Sequence, residues 1–461
     1  MIKMDVQDYE YYEARAKDVK LENITSSQHN ADILARIRDD DPDFTKLCVT
    51  DDFYFNRRSD YRPDEGDDLG WLGYFIGRSK HVQELYIEYF PDNLNIDAFF
   101  GGLGHNRSIQ TLCISIDLGE GFKSLVPFLR NNTSLSALIF DFENSIELQC
   151  ARNIAVLLGQ QSSLKYLKFE EANLDDEGLL EIAATLSTQP QLEELDLSGN
   201  NISMDGCVAL GNALECMGNP NMATLLLRSN QIDDQGLCAL VAGLKNCRNL
   251  TSLYLNRNEL ITAAGLRSLS ALLQSDRCCL ECLFLDGLNI DNDGIGVLVS
   301  GLASLPTLKK LDLSSNRISD QGVKANVDLS KNSFSVSGLR SLGTLIQRTT
   351  SLKSLCLGSN NIDDTGLQGL VDDMTTRCSL TDLDLSYNDL ITAVGLRKLS
   401  AFFQSDNCHL KELWLWGIDF GDEGAAALAD GLKGNKSLTT LQLTSDGSEI
   451  TARSWSAFSK L

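Results

Sequence analysis

The chain predicts an α/β solenoid: a parallel β-sheet backed by helices and lengthened by repetition. Three observations carry this. LEELDLSGNNISMDGCVALGNALEC, starting at Leu192, sets Leu192, Leu195 and Leu197 before Asn200, then Ile202, Gly206, Leu210 and Leu214. Its first half has the two-residue period of a strand, its second the spacing of a helix. The pattern returns, with strand starts at Val82, Ile109, Leu135, Leu164, Leu192, Met222, Leu250, Leu280, Leu308, Leu352, Leu380, Leu410 and Leu438. Most starts lie 26 to 30 residues apart, which is room for a strand, a loop and a short helix. One such unit cannot bury its own apolar face, so neighbours stack and share a continuous core.

Taken in order, residues 1–43 carry no repeat and form a polar leader and cap. Within them Ile33, Leu34 and Ile37 share one helical face. Phe44, Leu47 and Val49 spell a degenerate first strand, and DDFYFNRRSDYRPDEGDDLG, residues 51–70, reads as a polar loop broken by Pro63 and glycine. The repeat domain is 44–461, with weak repeats over 44–160 and clear ones over 161–445. Ala452, Trp455 and Phe458 recur at three-residue spacing and predict a capping helix within 446–461. From Gly178 a glycine stands where each helical pattern begins, at Gly206, Gly236, Gly265, Gly294, Gly322, Gly338, Gly366, Gly395 and Gly424. It permits close packing or a turn. Asn200, Asn230, Asn258, Asn316, Asn332, Asn360 and Asn388 stand where the chain leaves a strand, and their amides are suited to satisfying backbone groups there.

Two irregularities interrupt the pattern. NELITAAGLRSLSALLQSDRCCLECLFLDGLNIDNDG from Asn258 returns as NDLITAVGLRKLSAFFQSDNCHLKELWLWGIDFGDEG from Asn388, so a block of repeats was copied. Asn316 and Asn332 are only 16 residues apart, and one helical half is missing between them.

The long repeats, LxxLxLxxN strands and helical second halves resemble the ribonuclease-inhibitor-like class of leucine-rich repeat proteins. That resemblance implies a horseshoe with a parallel concave sheet and convex helices, and a binding role. Ran GTPase-activating proteins share this fold, which makes a GTPase activator the alternative, with a ubiquitination adaptor as a third reading. No catalytic-arginine segment matches residue by residue, and no innate-receptor nucleotide-binding domain is read before the repeats.

Composition narrows the function classes. A formal net charge of −24 argues against non-specific nucleic-acid binding, which needs a basic footprint, and suits a protein partner with a basic or mixed surface. MIKMDVQDYEYY has no apolar run and no segment has the length of a membrane helix, so a cytoplasmic or nuclear chain without membrane contact is expected. The odd count of 13 cysteines argues against a complete disulfide framework. Cys207 and Cys238 are expected to be small buried hydrophobes. Cys279-Leu-Glu-Cys282 lacks a second pair, and His29, His81, His105 and His409 are dispersed, so no metal, cofactor or enzymatic role is expected.

Strand alternation then selects what a partner would meet. With Leu195 and Leu197 in the core, Glu194, Asp196 and Ser198 face outward. The middle column reads Tyr86, Cys113, Ile139, Lys168, Asp196, Leu226, Tyr254, Phe284, Asp312, Asp328, Cys356, Asp384, Trp414 and Gln442. Tyr254 with Phe284, and Trp414 with Trp416, are the expected aromatic anchors. Asp196, Asp312, Asp328, Asp382 and Asp384 are the expected acidic rim, steering a basic partner. Leu288 and Ile418 replace the ladder asparagine and are expected to add apolar surface. Arg228 and Arg257 are the candidates for a charge-stabilising arginine.

Overall fold

The computed structural model describes residues 9–51, 59–64, 66–90, 96–115, 124–141, 146–160, 162–217, 221–302, 305, 307–308, 310–316, 330, 353–376, 378, 380–444 and 458. They form two compact units, 1–226 and 227–461.

In the first unit, helices α1 (Tyr9–Arg15) and α2 (Gln28–Arg38) precede the sheet. Ser27 accepts from Asn30 N–H as the N-cap of α2, and Ile33, Leu34 and Ile37 are buried. Strands β1 (Lys46–Val49), β2 (Asp60–Tyr61), β3 (Glu84–Ile87), β4 (Thr111–Ile114), β5 (Ala137–Phe140), β6 (Tyr166–Lys168), β7 (Glu194–Asp196) and β8 (Thr224–Leu226) form a parallel sheet ordered β8-β7-β6-β5-β4-β3-β1-β2. The polar stretch before residue 70 is therefore not only loop. β2 pairs with β1, and its polarity is absorbed by hydrogen bonds: the buried Asp67 carboxylate accepts from Tyr61 Oη at 2.9 Å and Asn30 Nδ2 at 3.1 Å.

Helices α3 (Leu69–Arg78), α4 (Ile96–Leu103), α5 (Val126–Asn131), α6 (Leu148–Leu158), α7 (Asp176–Leu186) and α8 (Met204–Met217) alternate with these strands. Leu195, Leu197, Ile202, Cys207, Leu210 and Leu214 are at most 1% exposed, so strand and helix of one repeat do share a core.

In the second unit, β9 (Ser252–Tyr254), β10 (Cys282–Phe284) and β11 (Lys310–Asp312) are parallel, as are β12 (Ser354–Cys356), β13 (Asp382–Asp384), β14 (Glu412–Trp416) and β15 (Thr440–Thr444). Leucine stands beside leucine, Leu253 on Leu283 on Leu311 and Leu355 on Leu383 on Leu413 on Leu441. The helices are α9 (Asp234–Leu244), α10 (Ala263–Leu273), α11 (Asn292–Leu302), α12 (Asp364–Thr376), α13 (Ala393–Phe403) and α14 (Gly421–Leu432). Nearly all described strands begin two residues after the leucine or equivalent that starts each repeat.

Ser315 N donates to Ser330 O at 2.8 Å, the bond that Ser359 N makes to Ser386 O at 2.7 Å in a full-length repeat. At Ser330 the short repeat keeps this link although its helical half is absent from the sequence. Its remaining residues between Asn316 and Asn332, Asp328 included, lie outside the described ones. So does the expected terminal helix, apart from Phe458, which is helical and half-buried.

The asparagines work as backbone clamps. Asn388 Nδ2 donates to Leu357 O at 2.9 Å and Leu385 O at 2.7 Å, while its Oδ1 accepts from Asn360 N and Ile362 N, both at 3.2 Å. Asn258 Nδ2 reaches Leu227 O at 3.0 Å and Leu255 O at 2.7 Å. Leu288 and Ile418 occupy this interior position and are fully buried, so they add core and no surface.

The helix glycines answer to a carboxylate. Asp233 and Asp363 cap their own helices by accepting from Gly236 N and Gly366 N, each at 2.7 Å. The next residue reaches forward instead: Asp364 accepts from Thr392 N at 2.8 Å, Thr392 Oγ1 at 2.6 Å and Gly395 N at 2.9 Å, and so caps the helix of the following repeat. A Cβ on Gly395 would stand 2.5 Å from Asp364 Oδ1. Cys207 is buried but Cys238 is exposed, because it lies two residues past Gly236 on the outer side of its helix.

Candidate protein-binding face

In the first unit much of the outward column is filled. Cys48, Cys113 and Asp196 are 2%, 5% and 7% exposed, and burial pushes the Cys113 thiol up to about 11, which disfavours the thiolate. Lys46 Nζ sits 4.0 Å from the Tyr86 ring centroid. Lys168 pairs with Glu170. Burial raises the Glu194 carboxyl, with Asp196 adding to the rise and Lys168 opposing it.

Asp196 thus departs from its expected part in an open acidic rim. Its Oδ1 accepts from Ser198 N at 2.9 Å, and Ser198 is itself 2% exposed. The same turn recurs at Asp312, accepting from Ser314 N at 2.9 Å, and at Asp384, accepting from Ser386 N at 2.8 Å. An aspartate two residues before a serine closes the strand's last turn onto its own carboxylate. The Asp-Leu-Ser spacing was the available signal, and it reassigns one oxygen of each carboxylate to the backbone. Asp312, Asp382 and Asp384 remain half-buried rather than enclosed.

In the second unit the aromatics stand on adjoining strands. Tyr254 and Phe284 are register partners, stacked with ring centroids 4.2 Å apart and planes 7° apart. They are half-buried, and each covers a face of the other. Trp414 lies opposite Asp384 on β13 and Gln442 on β15. β14 runs for five residues where β13 has three, and this extension places Trp416 outward at the strand end, 37% exposed. Tyr387 joins it: Tyr387 N donates to Trp416 O at 2.6 Å, and the Tyr387 side chain is 49% exposed. Tyr387 escaped the sequence reading because it precedes a ladder asparagine, outside the alternating column; the signal was its replacement of Arg257 between the duplicated blocks.

Arg257 takes a left-handed backbone with φ of 59°, as do Ser229, Ser315 and Tyr387 at the matching place, where Gly199, Gly287 and Gly417 stand in other repeats. That position is set by repeat geometry, and Arg257 N donates to Asp286 O at 2.8 Å. Among the described residues no three His, Cys, Asp or Glu side chains are grouped to hold a metal. Cys279 is exposed and Cys282 half-buried, both as free thiols. An open groove of about 660 Å³ runs between α13 and α14, lined by Arg397, Ser400, Gln404, Glu423 and Asp430 among others. Arg397 is tied to Glu423 at 2.7 Å, and this helical groove contains none of the sheet aromatics. Among the described residues no helix is long and apolar enough to cross a membrane.

Comparison with known proteins agrees with this architecture. The Leucine Rich repeat family model matches residues 189–211, 218–241, 246–270, 304–325, 349–371 and 377–400. The chain is 31% identical over 286 residues to ribonuclease inhibitor of Mus musculus, covering 60% of this chain and 58% of the relative. It is 27% identical over 331 residues to NACHT, LRR and PYD domains-containing protein 5 of Homo sapiens, covering 72% of this chain and 24% of that protein. The matched stretch thus spans under two thirds of either relative's length. A crystal structure of the Rad7 and Elc1 complex in yeast aligns with TM-score 0.45 and 17% identity, covering 73% of this chain and 77% of that one. Strand, ladder and helix, repeated in register and matched by these relatives, make the chain a leucine-rich repeat protein of the ribonuclease-inhibitor-like class.

Proposed function

We propose that the chain is a non-enzymatic scaffold that binds another protein on the open sheet face of its second unit. The observation that carries this reading is the aromatic group on β14 and beside it: Trp414 half-buried, Trp416 and Tyr387 more than a third exposed. Large aromatics left on a solvated sheet contribute little to folding, and such residues anchor protein interfaces. Asp382, Asp384 and Glu412 flank them on β13 and β14, which favours a partner with a basic or mixed surface. Tyr254 and Phe284, followed by Asp312 on the next strand, form the second aromatic group of the same unit. The name of the mouse relative identifies it as an inhibitor of ribonuclease, a protein target, which supports a protein rather than a small molecule as the bound species.

The test is an affinity purification with the wild-type chain and with Trp414→Ala combined with Trp416→Ala, partners being quantified by mass spectrometry. The wild type recovers one or more proteins that the variant loses by at least about tenfold, since a truncated aromatic anchor costs roughly 2 kcal/mol. Equal recovery by a variant with unchanged circular dichroism would refute the assignment.

A further inference from the structure

The block duplication gives the molecule an internal control. Asn258, Thr262, Gly265 and Gly287 of the first copy return as Asn388, Thr392, Gly395 and Gly417. Their bonds return with them: Thr262 Oγ1 lies 2.6 Å from Asp234 Oδ2 and Thr392 Oγ1 lies 2.6 Å from Asp364 Oδ2. The residue before the ladder asparagine is left-handed in both, with φ of 59° at Arg257 and 57° at Tyr387. Each lies over the glycine of the next repeat, for a Cβ on Gly287 would meet Arg257 Cγ at 3.3 Å and one on Gly417 would meet Tyr387 Cδ1 at 2.5 Å.

On this shared frame the surfaces differ. Arg257, Ala264 and Asp286 of the first copy are Tyr387, Val394 and Trp416 in the second, while Leu260 and Leu390 are alike. Tyr387, Leu390, Val394 and Trp416 are 49%, 55%, 50% and 37% exposed. They follow one another from the outward end of β14 through the rising loop to the start of α13. Charge separates along the same direction. Residues 380–396 and 412–432 contain no lysine or arginine, while Asp384, Asp389 and Asp419 lie at or beyond the strand ends. Lys353 and Lys411 stand at the opposite ends, where their carbonyls accept from Thr381 N and Thr439 N at 2.7 and 2.8 Å.

We infer that this strand-end edge of the second copy is a docking surface for a basic segment of a partner protein. An apolar side chain of that segment packs on Tyr387, Leu390 and Trp416, and lysine or arginine beside it meets Asp384, Asp389 and Asp419. The inference rests on the scaffold reading above and extends it, naming the chemistry of the partner and moving part of the contact from the sheet face to its edge.

The experiment pans a random peptide library on the immobilised full chain, then measures each enriched peptide against two variants by fluorescence anisotropy. The first variant is the graft Tyr387→Arg, Val394→Ala and Trp416→Asp, which installs only residues that the same frame carries in the first copy. The second is Trp414→Ala, on the sheet face. Enriched peptides combine lysine or arginine with an aromatic or leucine, and the graft weakens them at least about tenfold while its thermal unfolding stays that of the wild type. Absence of enrichment, enrichment of acidic or uncharged peptides, or unchanged binding to the graft overturns the inference. Binding lost with Trp414→Ala but kept by the graft refutes the edge and leaves the sheet-face reading standing. Loss with the graft alone upholds the edge and refutes Trp414 as an anchor; loss with neither refutes both.

Discussion

Replacing Asn388 by alanine tests the physical role assigned to the asparagine ladder. Its side chain is fully buried and serves five backbone groups: Leu357 O, Leu385 O, Ser386 O, Asn360 N and Ile362 N. Alanine removes both partner atoms at once and leaves those groups without it, in a core that water does not reach. Each unsatisfied buried group costs about 1–3 kcal/mol. The bond at 3.4 Å and the two at 3.2 Å are the weaker, and some relaxation is expected, so the predicted loss is roughly 3–5 kcal/mol. A solenoid need not unfold in one step, and the decisive assay is therefore hydrogen exchange read locally by mass spectrometry. Amides over 357–362 and 385–391 are expected to lose about two to three orders of magnitude in protection, at about 1.4 kcal/mol per decade. Peptides of the first unit, 1–226, should change far less. A loss under about 1 kcal/mol, or equal change along the whole chain, would refute the clamp.

Two further outcomes follow from the forward-reaching carboxylates. Gly395→Ala places a Cβ at 2.5 Å from Asp364 Oδ1, and overpacking of this kind costs about 1–3 kcal/mol; a urea midpoint equal to that of the wild type would contradict it. At Asp234 burial opposes the charge, but hydrogen bonds from Thr262 and Gly265 N–H, with Arg267 nearby, outweigh it and hold the carboxyl below its ordinary value of 3.8. A depressed folded value means that the unfolded chain binds the proton more readily. Asp234 therefore stabilises the fold above about pH 4 and loses that contribution as the pH falls through the folded value. Hydrogen exchange at the start of α10 should accelerate on acidification in the wild type relative to Asp234→Asn; a smaller acid response in the wild type reverses the sign and sinks the assignment.

The architecture was legible because repetition averages out local ambiguity. A single Leu-x-x-Leu-x-Leu is weak, but thirteen strand starts at similar spacing leave one way to bury them. Asn200, Asn258 and Asn388 could be given their structural role from amide chemistry alone, since a strand must release its backbone bonds somewhere. Tyr254 and Phe284 were placed side by side by counting residues, and they are stacked.

Where the structure departs from these expectations, the geometry at the end of the strand decides the outcome. Asp196 was counted as open surface by alternation, yet its carboxylate turns onto Ser198 N. Leu288 and Ile418 were expected at the surface because asparagine is polar, whereas the ladder position points inward and buries whatever occupies it. The helix glycines, by contrast, hold the close packing expected of them: a Cβ on Gly265 or Gly395 would meet the aspartate of the preceding repeat at 2.6 or 2.5 Å.

By itself the sequence determined the repeat, its strand register and the identity of the residues that face the core, because periods of two and of about 3.6 are local properties of the chain. Only the tertiary structure decided which outward residues stay exposed. Exposure depends on the neighbouring repeat, roughly 4.8 Å away across the sheet, and on how far each strand runs. The two extra residues of β14 and the left-handed turn at Tyr387 thus set Trp416 and Tyr387 side by side at the sheet's edge, where a partner can reach them.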